Sequence, residues 1–180
     1  MTDALCIHAC AVNIFGYGIL LKGKSGIGKS ELALSLVDRG HSLISDDTAL
    51  LVSTPQHLLI QSPEITHGMI SIRGIGIVDL ALTYGEHAIA KPTPLAAIIE
   101  LTHSQSDLDS LSPTKTEQRI EQHTFPHIRI YTSPMRDMAL LTELLVKILI
   151  NGPQNNATIL TIKQRQQLAH RNKSQLKSTK

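Results

Sequence analysis

The chain has 180 residues, 42% of them hydrophobic and 18% charged, which is enough for one globular domain with a sizeable core and too few for two. Its formal net charge of +2 is small, and the basic residues gather near the C-terminus without aromatic neighbours, so nucleic-acid binding is not predicted. Two cysteines cannot make a disulfide framework, and no apolar run suits a membrane span or an export signal, so we expect a cytoplasmic protein.

The first predicted elements lead into a glycine-rich loop. Residues 4–21 alternate short apolar stretches with small turns, which predicts two or three strands, the last over residues 18–21. The next segment matches the phosphate-binding pattern G-x-x-x-x-G-K-[ST] without a mismatch, and its residues are Gly23, Lys24, Ser25, Gly26, Ile27, Gly28, Lys29 and Ser30. Helix formers with apolar residues at helical spacing follow, up to a stop near residues 38–40. Strand, glycine loop and helix in this order predict a site for nucleotide phosphates.

The chemistry of that site depends on one lysine and one serine of the loop and on a pair of aspartates. If the motif binds ATP, Lys29 would neutralise its β- and γ-phosphates, and Ser30 would bind magnesium. A strand predicted over residues 41–45 ends at the adjacent carboxylates Asp46 and Asp47. Because adjacent parallel strands end at one edge of a sheet, we expect these acids to face the same crevice as the loop. One acid would hold Mg²⁺ while the other accepts the proton of an attacking hydroxyl.

The remaining elements alternate strands with polar connections. A hairpin is predicted over residues 49–60, and residues 69–79 predict a strand that bends into a turn, with Arg73 available for a phosphate or a carboxylate. A surface loop or weak helix is predicted over residues 103–123. Further strands are predicted over residues 88–90, 95–101 and 128–131, and helices over residues 137–150 and 157–170. We therefore expect a P-loop domain over residues 1–155 and a C-terminal helix with a basic tail over residues 156–180.

Three segments in this order resemble one family, the HPr kinase/phosphorylases. They are the phosphate loop continuing into Glu31, the run over residues 39–47, and residues 72–79 with the sequence IRGIGIVD. The resemblance extends from His8 to the helix after Arg136 and is to the catalytic domain, so we expect a short form of the family without its separate N-terminal domain. It implies an α/β fold: a P-loop-containing mixed sheet flanked by helices, similar to phosphoenolpyruvate carboxykinase.

The resemblance also implies an activity and a site. The activity is that of an ATP- and magnesium-dependent kinase, which phosphorylates a serine of the phosphocarrier protein HPr and also phosphorolyses phosphoserine-HPr to pyrophosphate. Asp47 would be the base, and His8 would lie close to it, while Arg136 matches an arginine tied to dephosphorylation. The implied catalytic residues are Asp47, Lys29, His8 and Arg136, and the implied metal ligands are Ser30 and Asp46. The same likeness implies a cytoplasmic homohexamer whose protein partner is HPr.

Three positions depart from the family pattern. Ser71 stands where the family usually has a glutamate that binds magnesium, and Ser110 stands where it tends to have a catalytic arginine. Residues 134–137, with the sequence PMRD, replace a Pro-Gly-Arg-Asn pattern. A neutral hydroxyl binds a hard cation more weakly than a carboxylate does. Two other functions therefore stay open: a nucleotide-binding regulatory module without catalysis, and a small-molecule kinase with the same loop.

Overall fold

A mixed sheet of nine strands forms the centre of the structure, a computed structural model that describes residues 4–104 and 114–150. The strands of this sheet are β1 (Leu5–His8), β2 (Cys10–Ile14), β3 (Tyr17–Lys22), β4 (Ser42–Ser45), β5 (Thr48–Ser53), β6 (Leu58–Gln61), β9 (Thr93–Thr102), β10 (Thr114–Ile120) and β11 (His123–Tyr131). A separate hairpin consists of β7 (Met69–Ile72) and β8 (Gly76–Asp79). The α-helices in the described ranges are α1 (Lys29–Asp38), α2 (Leu80–Tyr84) and α3 (Met138–Ile150), and two short 3₁₀ helices span Glu64–Thr66 and Glu86–Ala88.

The order of the strands places the phosphate loop in the middle of the sheet. Strand β3 lies between β9, to which it is parallel, and β2, to which it is antiparallel. Because β2 is also antiparallel to β4, strands β3 and β4 run in the same direction with β2 between them. On the other side of β3, β11 runs parallel to β9. The segments that follow β3, β4, β9 and β11 therefore all emerge at one edge of the sheet.

This topology confirms the predicted fold class and corrects one detail of it. The predicted strand, glycine loop and helix correspond to β3, residues 23–30 and α1. The predicted hairpin over residues 49–60 corresponds to β5 and β6, which pair antiparallel. The expectation that the strand before Asp46 is the neighbour of β3 is wrong, because β2 pairs with both strands and separates them.

Apolar side chains on both faces of the central strands make the core. In β3, Ile19 and Leu21 belong to the cluster formed with α1 and α3, while Leu20 belongs to the cluster on the other face. A strand that is buried on both faces carries a continuous apolar run, which is what residues 18–21 show. Helix α1 covers its face of the sheet with Leu32 and Leu36, both buried.

Two predicted segments have a different structure. A strand over residues 88–90 is wrong: Glu86–Ala88 form a 3₁₀ helix, and Ile89 makes only an isolated bridge to Leu43. Residues 103–123 are not one loop or helix, because β10 lies within them and pairs with β11. Strand β10 pairs with no other strand of the described residues, so its polar sequence needs no apolar face.

Some predictions concern residues that the structure does not describe. The helix over residues 157–170, the basic tail and Ser110 lie outside the described residues, and the division at residue 155 remains a prediction. Among the described residues, no helix combines the length and the hydrophobicity that a bilayer span requires.

A charged cluster joins the C-terminal end of α1 to α3. Glu143 accepts two hydrogen bonds from Arg39, through Nε and Nη2, each at 2.8 Å. His41 Nε2 lies 3.1 Å from the same carboxylate, and both side chains are buried. The hydrogen bonds from Arg39, and to a smaller extent the one from His41, lower the pKa of Glu143 to about 2. Glu143 is therefore a charged residue on the buried face of α3, which the sequence predicts to be apolar.

Replacing Glu143 with alanine is expected to lower the free energy of unfolding by about 2 kcal/mol, between the values typical of exposed and of buried ion pairs. The pKa of this carboxylate is lower in the folded state than its ordinary value of 4.5. Its stabilisation is therefore complete above about pH 4.5 and is lost as the pH falls toward 2. Urea unfolding at pH 7 and pH 3 should show a smaller difference between the two proteins at pH 3.

The control for this prediction is Glu117→Ala, which removes an exposed carboxylate on β10. We expect this variant to unfold like the wild type at both pH values. A Glu143→Ala variant with the same deficit at pH 7 and pH 3 would contradict the assignment of the pH dependence to Glu143.

Candidate active site

The loop between β3 and α1 has a backbone that depends on glycine. Gly23, Gly26 and Gly28 have φ values of +141°, +77° and +101°, which side-chain-bearing residues rarely adopt. At Gly23, a Cβ atom would also lie only 2.8 Å from the carbonyl oxygen of Leu101. The glycines of the motif therefore serve the shape of the loop, which turns its backbone toward the start of α1.

The N-terminal end of α1 is open toward this loop. Its N-cap is Gly28, for which no side-chain capping hydrogen bond is found within the described residues. Uncapped N–H groups and the positive end of the helix dipole together bind anions. Lys29 is buried, and its Nζ donates hydrogen bonds to the carbonyl oxygens of Gly23 and Lys24 at 3.2 and 3.3 Å. A positive charge is thus held against the loop that would surround a phosphate.

Asp46 lies beside the start of α1 with both carboxylate oxygens engaged. Oδ1 accepts a hydrogen bond from Ser30 Oγ at 2.8 Å, and Oδ2 accepts one from the backbone N–H of Ser71 at 2.9 Å. The Asp46 side chain is buried. Burial, and after it the Asp46 carboxylate, raise the pKa of the nearby Cys10 thiol, which therefore adds no second negative charge. A hydroxyl and a carboxylate oxygen thus lie together, and both are ligands that Mg²⁺ prefers.

Asp47 follows on the exposed side of the site. Its Oδ1 lies 3.2 Å from Nδ1 of His8, the last residue of β1. Pairing of β1 with β5 brings His8 to this place, opposite Thr48. Asp47 has a φ of +61°, and backbone conformations of this kind in residues other than glycine cluster at functional sites. The predicted closeness of His8 and Asp47 is present in the structure.

Arg73 lies over the phosphate loop from the turn of the β7–β8 hairpin. A Cβ atom added to Gly26 would be 3.6 Å from Arg73 Nη2. The hairpin holds this position because Ile70 and Ile72 of β7 pack into the core cluster that contains α1. The sequence marks Arg73 only as a residue available for a phosphate or a carboxylate, since its distance from the loop depends on this packing.

One cavity of about 370 Å³ contains the charged and hydroxyl groups described above, except for His8, which does not line it. It is lined by residues of the phosphate loop, by Asp46 and Asp47, and by Ser71 and Arg73. The prediction that the two acids face the same crevice as the phosphate loop is therefore confirmed. The roles predicted for the individual side chains remain predictions at this point.

Arg136 lies in a second cavity that borders the phosphate loop. This cavity has a volume of about 660 Å³ and shares Gly26, Gly28 and Glu31 with the first. Arg136 Nη1 donates a hydrogen bond to the carbonyl oxygen of Tyr131 at 2.9 Å. Arg136 is not among the residues that line the cavity of Lys29 and Asp47, so the structure places it apart from this pair. His8 does not line that cavity either, but it contacts Asp47 directly.

Comparison with known proteins finds similar sequences over most of the chain. Residues 1–166 match the family described as HPr Serine kinase C-terminal domain. The HPr kinase/phosphorylase of Clostridium perfringens strain 13 is 37% identical over 139 residues, which is 76% of this chain and 45% of that protein. The HPr kinase/phosphorylase of Bacillus pumilus is 36% identical over 146 residues, 79% of this chain and 47% of that protein. The chain spans about half the length of these curated relatives.

A solved structure shows the same architecture. It is the Hpr(Ser) kinase/phosphatase from Coxiella burnetii, with 34% sequence identity and a TM-score of 0.75. The match covers 80% of this chain and 89% of that one. The predicted P-loop fold, of the kind shared with phosphoenolpyruvate carboxykinase, is therefore confirmed.

Proposed function

Because this chain belongs to the family of HPr serine kinase C-terminal domains, we propose that it carries the catalytic site of an ATP- and magnesium-dependent serine kinase. The proposed substrate is HPr or a similar small protein. The observation that supports this most is the single cavity that brings Lys29 and Ser30 together with two adjacent carboxylates. Many nucleotide-binding proteins have such a loop, whereas an exposed carboxylate beside it supplies the base that transfer to a hydroxyl needs.

The side chains of this cavity fit a magnesium ion bound together with ATP. Ser30 Oγ and Asp46 Oδ1 are hard oxygen donors in mutual contact, and they are the residues that would hold the ion. When bound, magnesium neutralises negative charge on the β- and γ-phosphates. Lys29 would do the same from within the loop, and Arg73 from the hairpin above it.

Asp47 is the proposed base. It would take the proton of the substrate serine as the serine oxygen attacks the γ-phosphorus and the bond to ADP breaks. Its side chain is 72% exposed, which leaves room for a protein substrate to approach. His8 would act as a positioning residue, since its contact with Oδ1 holds the carboxylate without touching the reacting atoms.

The same groups suit removal of the phosphate from phosphoserine by phosphorolysis. There, inorganic phosphate would attack the phosphorus of a phosphoserine, the serine oxygen would leave with a proton from Asp47, and pyrophosphate would be the product. Asp47 in its protonated form is placed to supply that proton. We propose this phosphorolysis as a second activity of the site.

Replacing Ser71 with glutamate is expected to tighten magnesium binding by about tenfold, because it adds a carboxylate to a set of oxygen ligands. Ser71 is exposed on β7 and lines the cavity, so a longer side chain has space. The backbone N–H that binds Asp46 is retained in the variant. The measurement is the magnesium concentration that gives half-maximal phosphate transfer at saturating ATP.

The matched control is Ser71→Gln, which adds the same length without a charge. It should leave the magnesium dependence close to that of the wild type. Equal magnesium dependences for the glutamate and glutamine variants would show that Ser71 does not lie where a ligand can reach the metal.

The substrate is tested with ATP labelled on its γ-phosphate. We expect the label on a serine of HPr, in an incubation that also contains small-molecule phosphate acceptors. Label on a metabolite and none on HPr would instead indicate a small-molecule kinase. Bound ATP without transfer to any acceptor would indicate a regulatory nucleotide-binding module, the alternative that Ser71 in place of a metal-binding carboxylate favours.

A further inference from the structure

Two isoleucines of the β7–β8 hairpin are exposed to solvent. Ile75, in the turn, is 75% exposed, and Ile77, on β8, is 76% exposed. The inner face of the hairpin is apolar because Ile70 and Ile72 pack into the core. A hairpin with one face on the core ordinarily carries polar residues on its outer face. Ile75 and Ile77 depart from this pattern, and their apolar surface has no partner in the core.

The pairing of the hairpin places Ile77 beside the cavity of Asp47. Ile77 lies directly opposite Ser71 in the register of β7 and β8. Side chains of directly opposite residues project from the same face, with Cβ atoms about 4.5–5.5 Å apart. Ser71 lines the cavity, and its backbone N–H donates the 2.9 Å hydrogen bond to Asp46. Ile77 therefore borders the rim of the cavity from outside.

The turn of the hairpin extends the same surface past Arg73. Arg73 lines the cavity, and Ile75 follows two residues later, with its backbone N–H bonded to the carbonyl oxygen of Ile72 at 3.0 Å. A Cβ atom added to Gly74 or Gly76 would have no neighbour within 4 Å. The tip of the hairpin is therefore open to the approach of a large partner.

We propose that Ile75 and Ile77 form a docking surface for the protein substrate, which carries apolar side chains beside its reactive serine; this inference rests on the proposed function. A serine that reaches Asp47 brings the surrounding surface of its protein against the rim of the cavity. Ile75 and Ile77 continue that rim, so a protein substrate covers them as it binds, and burial of their apolar surface adds affinity. A small-molecule acceptor held within the cavity has no surface that extends to them.

The inference is tested with the double variant Ile75→Gln, Ile77→Gln, which removes the apolar surface and keeps side chains of similar length. Phosphate transfer is measured at saturating ATP and magnesium over a range of HPr concentrations. We expect the KM for HPr to rise at least about tenfold, as when central apolar contacts of an interface are removed. The KM for ATP and the kcat should stay close to the wild-type values, because the groups that line the cavity are unchanged.

The matched control is Ile65→Gln. Ile65 is 90% exposed and lines neither cavity, so the substitution removes exposed apolar surface away from the proposed docking surface. All three kinetic constants should match those of the wild type.

The possible outcomes separate this inference from the proposed function. An unchanged KM for HPr in the double variant would overturn the docking surface and leave the kinase activity in place. A double variant that forms a smaller assembly than the wild type, as measured by light scattering, would assign the surface to contact between copies of the chain and would also overturn the inference. A wild-type protein that transfers no phosphate to HPr would overturn the proposed function together with the inference.

Hydroxyl-radical footprinting of the wild-type protein tests the same contact without a substitution. Oxidation of Ile75 and Ile77 is measured by mass spectrometry with and without HPr, in the presence of magnesium and a non-hydrolysable ATP analogue. We expect HPr to lower the oxidation of both isoleucines and to leave that of Ile65 unchanged. Equal oxidation of Ile75 and Ile77 with and without saturating HPr would contradict the proposal.

Discussion

Replacing Asp47 with asparagine is expected to lower phosphate transfer to HPr by roughly 10²–10⁴-fold, the range that a positioned general base contributes. Asparagine has nearly the same size, tolerates the φ of +61° at this position, and can still contact His8 through its amide. It cannot take a proton from the substrate serine. ATP affinity should change little, because the phosphates are bound by the loop and the start of α1. A rapid-quench measurement with ATP already bound isolates the transfer step.

The control for this variant is Asp38→Asn, which removes an exposed carboxylate at the other end of α1. It should transfer phosphate at the wild-type rate. An Asp47→Asn protein with an undiminished rate would remove Asp47 as the base while leaving the nucleotide site unaffected.

Replacing Lys29 with methionine is expected to lower the transfer rate by about 10²–10³-fold and to weaken ATP binding as well. The ammonium group is buried and held by two carbonyl oxygens of the loop, so its charge acts where water is largely excluded. Methionine retains most of the side-chain volume and should leave the fold intact. Transfer rate and ATP affinity, measured together, distinguish this variant from Asp47→Asn, which should lose only the rate.

Lys91→Met provides the comparison for the loss of a lysine charge, since Lys91 is exposed and lines neither cavity. It should match the wild type in both measurements. A Lys29→Met protein that binds ATP and transfers phosphate normally would show that the Lys29 ammonium group does not act on the phosphates.

The part of the fold that the sequence predicts well is local. The glycines of the loop, the apolar run before it and the helical spacing after it all reflect short-range backbone requirements, and β3 and α1 follow from them. The insertion of β2 between β3 and β4 depends instead on pairing between distant segments, which no local pattern encodes. Strand β10 is not predicted because its sequence is polar and lacks the apolar periodicity that indicates a strand; its pairing with β11 is seen only in the structure.

The residues of the candidate site also fall into two groups: those that a local sequence pattern predicts and those that depend on pairing or packing of distant segments. Lys29 and Ser30 follow from the motif, and Asp46 and Asp47 from their place at the end of a strand. His8 is predicted as a site residue by the family resemblance alone, because it reaches Asp47 through the long-range pairing of β1 with β5. The position of Arg73 over Gly26 and the separation of Arg136 into its own cavity both depend on how distant segments pack, and only the structure shows them.

The proposed kinase activity depends on one cavity that both binds the phosphates of ATP and supplies a base for a serine. The most direct measurement follows ATP bound to the wild-type protein after HPr is added, and identifies the modified residue of HPr by mass spectrometry. The predicted result is a single phosphoserine that forms faster than bound ATP is hydrolysed, with the rate reduced in Asp47→Asn. ATP that stays bound in the presence of HPr, without phosphoserine, would contradict the account.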